Sequence, residues 1–390
     1  MSIRIGIVGA PNKGKSTFFA ALTKIKVDIG PYPFTTIDPN IGIAYLPVQC
    51  VCNELGVRCS SKYCDGKTRY IPIELIDVAG LVEGAYLGRG MGNKFLDELI
   101  KADGFIQIID ASGQTDLDGK PAIDFPLEKE VVFLEKELLE WFKEKISKAY
   151  AKFKLKTINH AQKELSGLKI SLADLQQVCN KLSIDPQRIE IKDDKLDLFA
   201  KELLSQRPIM IAANKADKPG VLERIKKFQT RTFIELVPTS AEYEYTLMLA
   251  KEKGYINYTP SENSFQIISE IEQEKKEALK KIEEFIKINN GTGIYTILKK
   301  LIFEKMKMIV AYPVEDENKF TDSKNQVLPD AILIKQGTSV IEFAAKIHTD
   351  LAENFVMAID AKTKKNISKQ YIIKNNDVIK IISAKKAKGA

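Results

Sequence analysis

Residues 9–16 read GAPNKGKS and match the pattern G-x-x-x-x-G-K-[ST] at every fixed position. The apolar run from Ile3 to Val8 predicts a buried strand, and the run from Ser16 to Lys24 predicts a helix. Between a strand and a helix, the N–H groups of such a loop converge on phosphate, and the helix N-terminus adds partial positive charge. The stretch therefore predicts a phosphate-binding loop at the start of an α/β nucleotide-binding domain.

Two loop residues have side-chain roles in this prediction. Lys15 would bridge the β- and γ-phosphates, and the Ser16 hydroxyl would hold Mg²⁺. The full set of predicted loop contacts to the nucleotide is Ala10, Pro11, Asn12, Lys13, Gly14, Lys15, Ser16 and Thr17.

A second apolar strand, in residues 73–81 (IELIDVAGL), ends in D-x-x-G. Asp77 would hold Mg²⁺ through water, and the Gly80 N–H would bond the γ-phosphate. Between the two motifs, the segment PYPFTT offers a threonine hydroxyl to the metal. We choose Thr36 for this role, with Thr35 as the alternative.

A third buried strand, in residues 208–217 (PIMIAANKAD), ends in N-K-x-D. The Asp217 carboxylate can accept hydrogen bonds from N1–H and N2–H₂ of guanine, a donor pair that adenine lacks. Asn214 and Lys215 would brace the base and the phosphate loop, while in VPTSAE the Ala241 N–H would reach guanine O6 and Ser240 would shape the turn. These motifs, in this order, predict a GTPase.

The motifs resemble those of the Obg-like GTPases, and specifically the archaeal and eukaryotic branch of the YchF-type subfamily. This resemblance implies a Ras-like P-loop domain, and its TGS-like C-terminal part implies docking on the ribosome or ribosomal RNA. Family members that favour ATP carry Glu at the position of Asp217, so we retain GTP. The segments that carry the resemblance are GAPNKGKST (9–17), YPFTT (32–36), DVAGLVEGA (77–85), GRGMGNKFL (88–96), NKAD (214–217) and the C-terminal strands.

Catalysis in this sequence departs from the Ras pattern. The Gln that orients the attacking water in Ras-like enzymes is replaced by Leu81, which predicts slow intrinsic hydrolysis. Related GTPases use an Asn in the phosphate loop to coordinate K⁺, and we hypothesise the same role for Asn12; the alternative is that it shapes the turn. The predicted catalytic set is thus Lys15, Thr36, Asn12 and Gly80, and residues 88–96 are interpreted as switch II.

The domain prediction has three parts. Residues 1–112 and 206–305 form a P-loop GTPase domain with trailing helices, and residues 113–205 form a helical insertion, expected to be an antiparallel hairpin. Residues 306–390 form a TGS-like β-grasp domain.

Two side-chain predictions concern these outer parts. In the β-grasp, one helix from Ser339 to Leu351 begins with a capping box, and we expect its His348 to be structural or solvated rather than a metal ligand. In the insertion, Lys148, Lys152 and Lys156 are spaced four apart, which predicts one helical stripe. Either this stripe is a solvated helix face or it contacts RNA phosphates.

The composition is that of a water-soluble globular protein, with 59 Lys and Arg against 52 Asp and Glu in 390 residues. No apolar stretch approaches the roughly 20 residues that span a bilayer, and the N-terminal run lacks the features of a signal peptide. We therefore expect a cytoplasmic protein without membrane contact, and a monomer.

Four of the five cysteines lie close together, in the spacing C-x-C-x₆-C-x₄-C. This spacing lacks the paired C-x-x-C of common zinc sites. Structural zinc and a local Cys59–Cys64 disulfide are the alternatives to ordinary thiols in an irregular hairpin, which is the interpretation that we favour.

Two functions remain open at this point. The first is a GTPase that cycles between GTP and GDP as a switch on the ribosome or its RNA. The second is a constitutive RNA or protein adaptor whose nucleotide site is mainly structural. No second pocket with a catalytic Cys or acid pair is evident, which argues against an RNA-modifying enzyme.

Overall fold

The predicted strand before the phosphate-binding loop forms the centre of a six-stranded sheet in the computed structural model, which describes residues 3–24, 41–77, 84 and 102–384. The strand order is β2-β3-β1-β4-β5-β6, with β2 antiparallel to β3 and the other pairs parallel. The bounds are β1 Arg4–Val8, β2 Ile41–Gln49, β3 Thr68–Asp77, β4 Gly104–Asp110, β5 Ile209–Asn214 and β6 Leu236–Pro238. The predicted α/β P-loop architecture is confirmed.

The parallel strands are almost continuously apolar because helices cover both faces of the sheet. The carboxyl ends of β1, β3, β4 and β5 lie side by side, so the motifs that follow them meet at one edge. Helices that accompany this sheet are α1 Lys15–Thr23, α2 Cys52–Leu55, α7 Val221–Thr232, α8 Ala241–Glu252, α9 Gln273–Asn289 and α10 Ile294–Lys299, with a π-helix at Lys300–Lys305 and a small hairpin of β7 Ile256–Asn257 and β8 Gln266–Ile267.

The segment between β4 and β5 is helical, as predicted, but it contains four α-helices rather than the two of a hairpin. They are α3 Leu127–Phe153, α4 Ile158–Glu164, α5 Leu172–Leu182 and α6 Asp193–Ser205. The long helix α3 buries Leu134, Leu138 and Trp141 in a core shared with α4, α5 and α6. Burial of that apolar side requires more helices than one antiparallel partner supplies.

The C-terminal part forms a separate five-stranded sheet with the order β10-β9-β13-β11-β12, in which β9 and β13 are parallel. Its strands are β9 Met308–Val314, β10 Ile332–Lys335, β11 Phe355–Asp360, β12 Lys365–Ile367 and β13 Asp377–Ser383. Helix α11, Val340–Ile347, packs Val340 and Phe343 against one side of the sheet. Strands around a single packed helix give the predicted β-grasp.

The predicted helix from Ser339 to Leu351 is in fact two helices. The Ser339–Glu342 capping box starts α11 as expected. The chain then breaks at His348, which has an extended backbone (φ −159°), and α12 follows at Thr349–Glu353. His348 Nδ1 accepts a hydrogen bond from Asp350 N at 3.2 Å, so this histidine caps α12.

The two sheets share one hydrophobic core. Ile5 and Ile73 of the first sheet belong to the same buried cluster as Val310, Tyr312 and Leu333 of the second. The β-grasp is therefore packed directly on the nucleotide-binding sheet.

Candidate nucleotide-binding site

The phosphate-binding loop lies between β1 and α1, with Gly14 at the helix N-terminus in a left-handed conformation (φ 91°). A Cβ at this position would lie 2.4 Å from Asn214 Nδ2, so both the backbone conformation and the close approach of Asn214 require glycine. No side chain of the described residues caps α1, and Ser16 at its first turn is exposed. The first N–H groups of α1 are thus suited to phosphate.

Lys15 and Asp77 are placed at this loop. Lys15 Nζ donates to Ala10 O at 2.9 Å, across the loop. Burial lowers the pKa of Lys15, against the influence of Asp77. Burial likewise raises the pKa of Asp77, against the influence of Lys15. A carboxylate at the end of β3 and the Ser16 hydroxyl are both hard oxygen donors, which is the chemistry that Mg²⁺ requires.

The Lys13 side chain lies in the protein interior, so the nucleotide contact that is predicted for Lys13 cannot come from its side chain. It is fully buried and forms an ion pair with Glu130 of α3. Its Nζ also donates to Thr115 O and Oγ1, both at 3.0 Å. Burial raises the pKa of Glu130 to about 7 despite the opposing effect of Lys13. Only the backbone of Lys13 is left to face phosphate.

Asn12 contacts the loop that follows β4. Its backbone is left-handed (φ 59°), and its Nδ2 donates to Gly119 O at 2.9 Å. Because the amide nitrogen has this partner, Oδ1 is the atom of Asn12 that could face a cation.

Asn214 connects the base-reading segment to the phosphate loop. Its Nδ2 donates to Lys13 O at 2.9 Å, and its Oδ1 accepts from Ala241 N at 3.1 Å. The side chain of Asp217 is 5% exposed, with Lys218 Nζ 3.7 Å from Oδ2. The N-K-x-D motif, the loop and the start of α8 therefore meet at one place.

Lys215 is braced by a buried carboxylate at the end of β4. Lys215 Nζ lies 2.8 Å from Asp110 Oδ2, which also accepts from Thr115 Oγ1 at 2.8 Å. Burial works to raise the pKa of Asp110, but Lys215, Ser112 and Thr115 as donors bring it below its ordinary value. Asp110 thereby holds the Lys215 side chain in place. The Lys215 backbone is left-handed (φ 63°).

Ser240 is the N-cap residue of α8. Its Oγ accepts from Tyr243 N at 3.2 Å and begins α8. Its N–H donates to Thr292 O at 2.9 Å, so the segment before α10 supports this turn.

Other predicted residues fall outside the described ranges. They are Thr35 and Thr36, Gly80 and Leu81, and the switch II segment 88–96. Their roles stay predictions.

The buried acidic side chains that contact the nucleotide site were not predicted from the sequence. Asp110 is fully buried, and Glu130 and Glu137 of α3 are 2% and 1% exposed. Glu137 Oε1 accepts from Gly84 N at 2.9 Å, seven residues after Asp77. Glu130 and Glu137 are seven residues apart, so they lie on the same side of α3 as its apolar residues. This position on the apolar side of a helix is the sequence signal that could have predicted their burial.

The predicted lysine stripe of the insertion is not formed. Helix α3 ends at Phe153, so Lys156 lies beyond it and approaches His160 Nε2 at 3.2 Å. Lys148 pairs with Glu144, and Lys152 lies 3.7 Å from Glu164. Carboxylates therefore offset part of the positive charge on this surface.

No helix in the described part of the chain combines the length and the apolar character that crossing a bilayer requires.

Three family descriptions match successive parts of the chain. Residues 4–151 match a 50S ribosome-binding GTPase, and residues 212–316 match the G4 motif-containing domain of an Obg-like GTPase. Residues 324–383 match the TGS domain.

Individual proteins match over similar lengths. A GTP-binding protein of Methanocaldococcus jannaschii is 46% identical over 98% of this chain and 99% of its own. The ribosome-binding ATPase YchF of Bacillus subtilis is 33% identical over 55% of this chain and 57% of its own. The crystal structure of a GTP-binding protein from Pyrococcus horikoshii superposes with a TM-score of 0.77, at 31% identity, over 98% of this chain and 100% of that one.

Proposed function

Because the chain belongs to the Obg-like GTPases of the YchF type, we propose that it hydrolyses GTP slowly and that the bound nucleotide controls its contact with the ribosome. The observation that carries the nucleotide part is the pair of Asn214 hydrogen bonds, to Lys13 O and from Ala241 N. These bonds hold the base-reading segment against the phosphate loop, as a site for one intact nucleotide requires.

The phosphates would be bound by the N–H groups at the start of α1 and by Lys15. On binding, Lys15 Nζ would exchange its bond to Ala10 O for phosphate oxygens. Ser16 and Asp77 would hold Mg²⁺, which supplies charge neutralisation at the transferred phosphoryl group. With Leu81 in place of the water-orienting Gln, these groups favour tight binding over rapid hydrolysis.

Specificity for guanine rests on Asp217, whose side chain is shielded from solvent. A shielded carboxylate left without the two guanine donors would be costly, which disfavours adenine. The preference for guanine over adenine needs a direct test, because some relatives of this chain are named as ATPases.

Calorimetric titration with GTP and ATP in the presence of Mg²⁺ provides the test. We expect GTP to bind at least about 100-fold more tightly than ATP, and Asp217→Ala to lose that difference. Asp197→Ala, at a mostly exposed aspartate of the insertion, is the matched control and should keep it. Equal affinity of the wild-type chain for both nucleotides would contradict GTP specificity.

A role for K⁺ would pass through Asn12. Because Nδ2 is bonded to Gly119 O, Oδ1 is the side-chain atom of Asn12 that would bind the cation. Turnover should then be faster in K⁺ than in Na⁺, and Asn12→Ala should remove the difference; a turnover rate indifferent to the cation would end this part of the proposal.

The switch part is supported by the contacts of α3. This helix contacts the phosphate loop through Glu130 and the segment after Asp77 through Glu137. A change of nucleotide that moves either contact would move the insertion with it. The ribosome is proposed as partner from the matched family description and from the name of the Bacillus subtilis relative.

Sedimentation of the purified protein with ribosomal particles tests the switch. The fraction that pellets should differ between GTP, GDP and no nucleotide, and should fall steeply with salt if RNA phosphates are contacted. Equal pelleting in all three states would favour the constitutive adaptor.

A further inference from the structure

Four cysteines meet at the end of the β2–β3 hairpin that lies away from the phosphate loop. The Sγ atoms of Cys50, Cys52, Cys59 and Cys64 all lie within 4.8 Å of one another. Cys50 lies in the turn between β2 and α2, Cys52 is the first residue of α2, and Cys59 and Cys64 lie in the loop that returns to β3. We propose that these four thiolates form a structural zinc site.

The distances favour a single metal ion over the alternatives. Four sulfurs about 2.3 Å from one tetrahedral ion are separated by about 3.8 Å, and Cys52 and Cys64 Sγ are 3.9 Å apart. A disulfide needs about 2.05 Å, and all four cysteines are free, so the Cys59–Cys64 bridge considered from the sequence is not formed. An iron–sulfur cubane binds each thiolate to a different iron and would need a wider arrangement.

A buried cation beside the cluster is an independent sign of negative charge. Arg69 is 1% exposed, and its Nη2 donates to Cys59 Sγ at 3.0 Å. Among the described residues Asp330 is the carboxylate that Arg69 influences electrostatically, but the two form no ion pair, and Arg69 Nε has no hydrogen-bond partner. A guanidinium in that position is costly beside neutral thiols. Beside four thiolates on Zn²⁺, which carry a net charge of −2, it is a counter-ion.

The site would be closed and structural, since four protein ligands leave no open position and Cys50 and Cys52 are each 1% exposed. It would also attach the β-grasp. Arg69 donates from Nη1 to Pro329 O at 3.2 Å and from Nη2 to Leu328 O, so the same guanidinium joins the cluster to the segment between β9 and β10 of the C-terminal domain. The paired C-x-x-C spacing is unnecessary here because the hairpin, rather than two short knuckles, brings the sulfurs together.

Metal analysis of the full-length protein, purified without chelator and with its affinity tag removed, tests the proposal. We expect about one zinc per chain, and growth with Co²⁺ should give the thiolate-to-metal charge-transfer bands of a tetrahedral site. Cys64→Ala should lower the metal content at least tenfold. Cys179→Ala, at the buried cysteine of α5, should leave it unchanged.

The wild-type measurements keep the proposal testable even if Cys64→Ala fails to fold. A wild-type chain that carries no stoichiometric metal and whose melting temperature does not rise with added Zn²⁺ would overturn the site. Iron with acid-labile sulfide in the purified protein, or full metal content in a folded Cys64→Ala variant, would overturn it equally.

Discussion

Glu244 of α8 is a buried carboxyl group, and no cation among the described residues forms an ion pair with it. It is fully buried, and it accepts hydrogen bonds from Thr292 and from Tyr258 Oη, the latter at 3.0 Å. Burial raises the pKa of Glu244 to about 7, against the effect of these two hydroxyl groups. The folded chain therefore holds this proton at pH values where the unfolded chain, with an ordinary glutamate pKa near 4.3, releases it.

This raised pKa makes stability depend on pH. Between about pH 4.5 and 7 the native state binds more protons than the unfolded state, so the contribution of Glu244 to the unfolding free energy falls as pH rises. Glu244→Gln keeps the hydrogen-bonding capacity and removes the titration. We expect the variant to gain on the order of 2 kcal/mol relative to wild type between pH 5 and pH 8, measured by urea denaturation.

Glu242→Gln is the matched control, because Glu242 lies in the first turn of the same helix and is exposed. Its unfolding free energy should follow that of the wild type across the pH range. A constant difference between Glu244→Gln and wild type from pH 5 to pH 8 would show that Glu244 titrates normally.

At the scale of elements, α3 is the helix of the insertion that contacts the nucleotide site. Glu130 and Glu137 lie on its buried side, against Lys13 and the Gly84 N–H. Glu137→Ala removes one of these contacts without touching the phosphate loop. One hydrogen bond to a charged group contributes about 1.5 kcal/mol, which corresponds to a roughly tenfold change in affinity. The ratio between the ribosome affinities with GTP and with GDP should therefore be about tenfold closer to one in the variant.

The measurement is sedimentation with ribosomal particles at several protein concentrations, after calorimetry has shown unchanged GTP affinity. Glu135→Ala is the control, since Glu135 is exposed on the same helix. If the ratio of the ribosome affinities with GTP and with GDP is unchanged in Glu137→Ala, α3 does not transmit the nucleotide state to the ribosome contact.

The elements also show why part of the site was predictable. The phosphate loop, Asp77 and the N-K-x-D motif are local patterns, and parallel strands bring their carboxyl ends to one edge. The ion pair of Lys13 and Glu130 spans 117 residues, and no local pattern encodes such a contact. The close approach of the four cysteine sulfurs was likewise not predictable from their spacing, since it depends on how the β2–β3 hairpin closes.

At the scale of the whole molecule, the β-grasp and the nucleotide-binding sheet are one structural unit. Leu333 on β10 is 6% exposed and belongs to the same apolar cluster as Ile5 and Ile73. Polar contacts add to this interface, among them Ser60 N to Val327 O at 3.0 Å and Lys362 Nζ to Glu54 at 2.8 Å. Neither sheet could be separated without exposing a large apolar surface to water.

This shared core predicts one cooperative unfolding transition. Leu333→Ala leaves a cavity in the core and should cost about 2–5 kcal/mol, lowering the midpoint of the entire transition. Val356→Ala, at a side chain 59% exposed on the same sheet, should change the unfolding free energy by less than about 0.5 kcal/mol.

Because binding to the native state stabilises every part of a cooperative unit, saturating GTP should raise the midpoint of the single unfolding transition measured by calorimetry. Two resolved transitions, with GTP shifting only one of them, would show that the β-grasp unfolds independently of the nucleotide-binding domain.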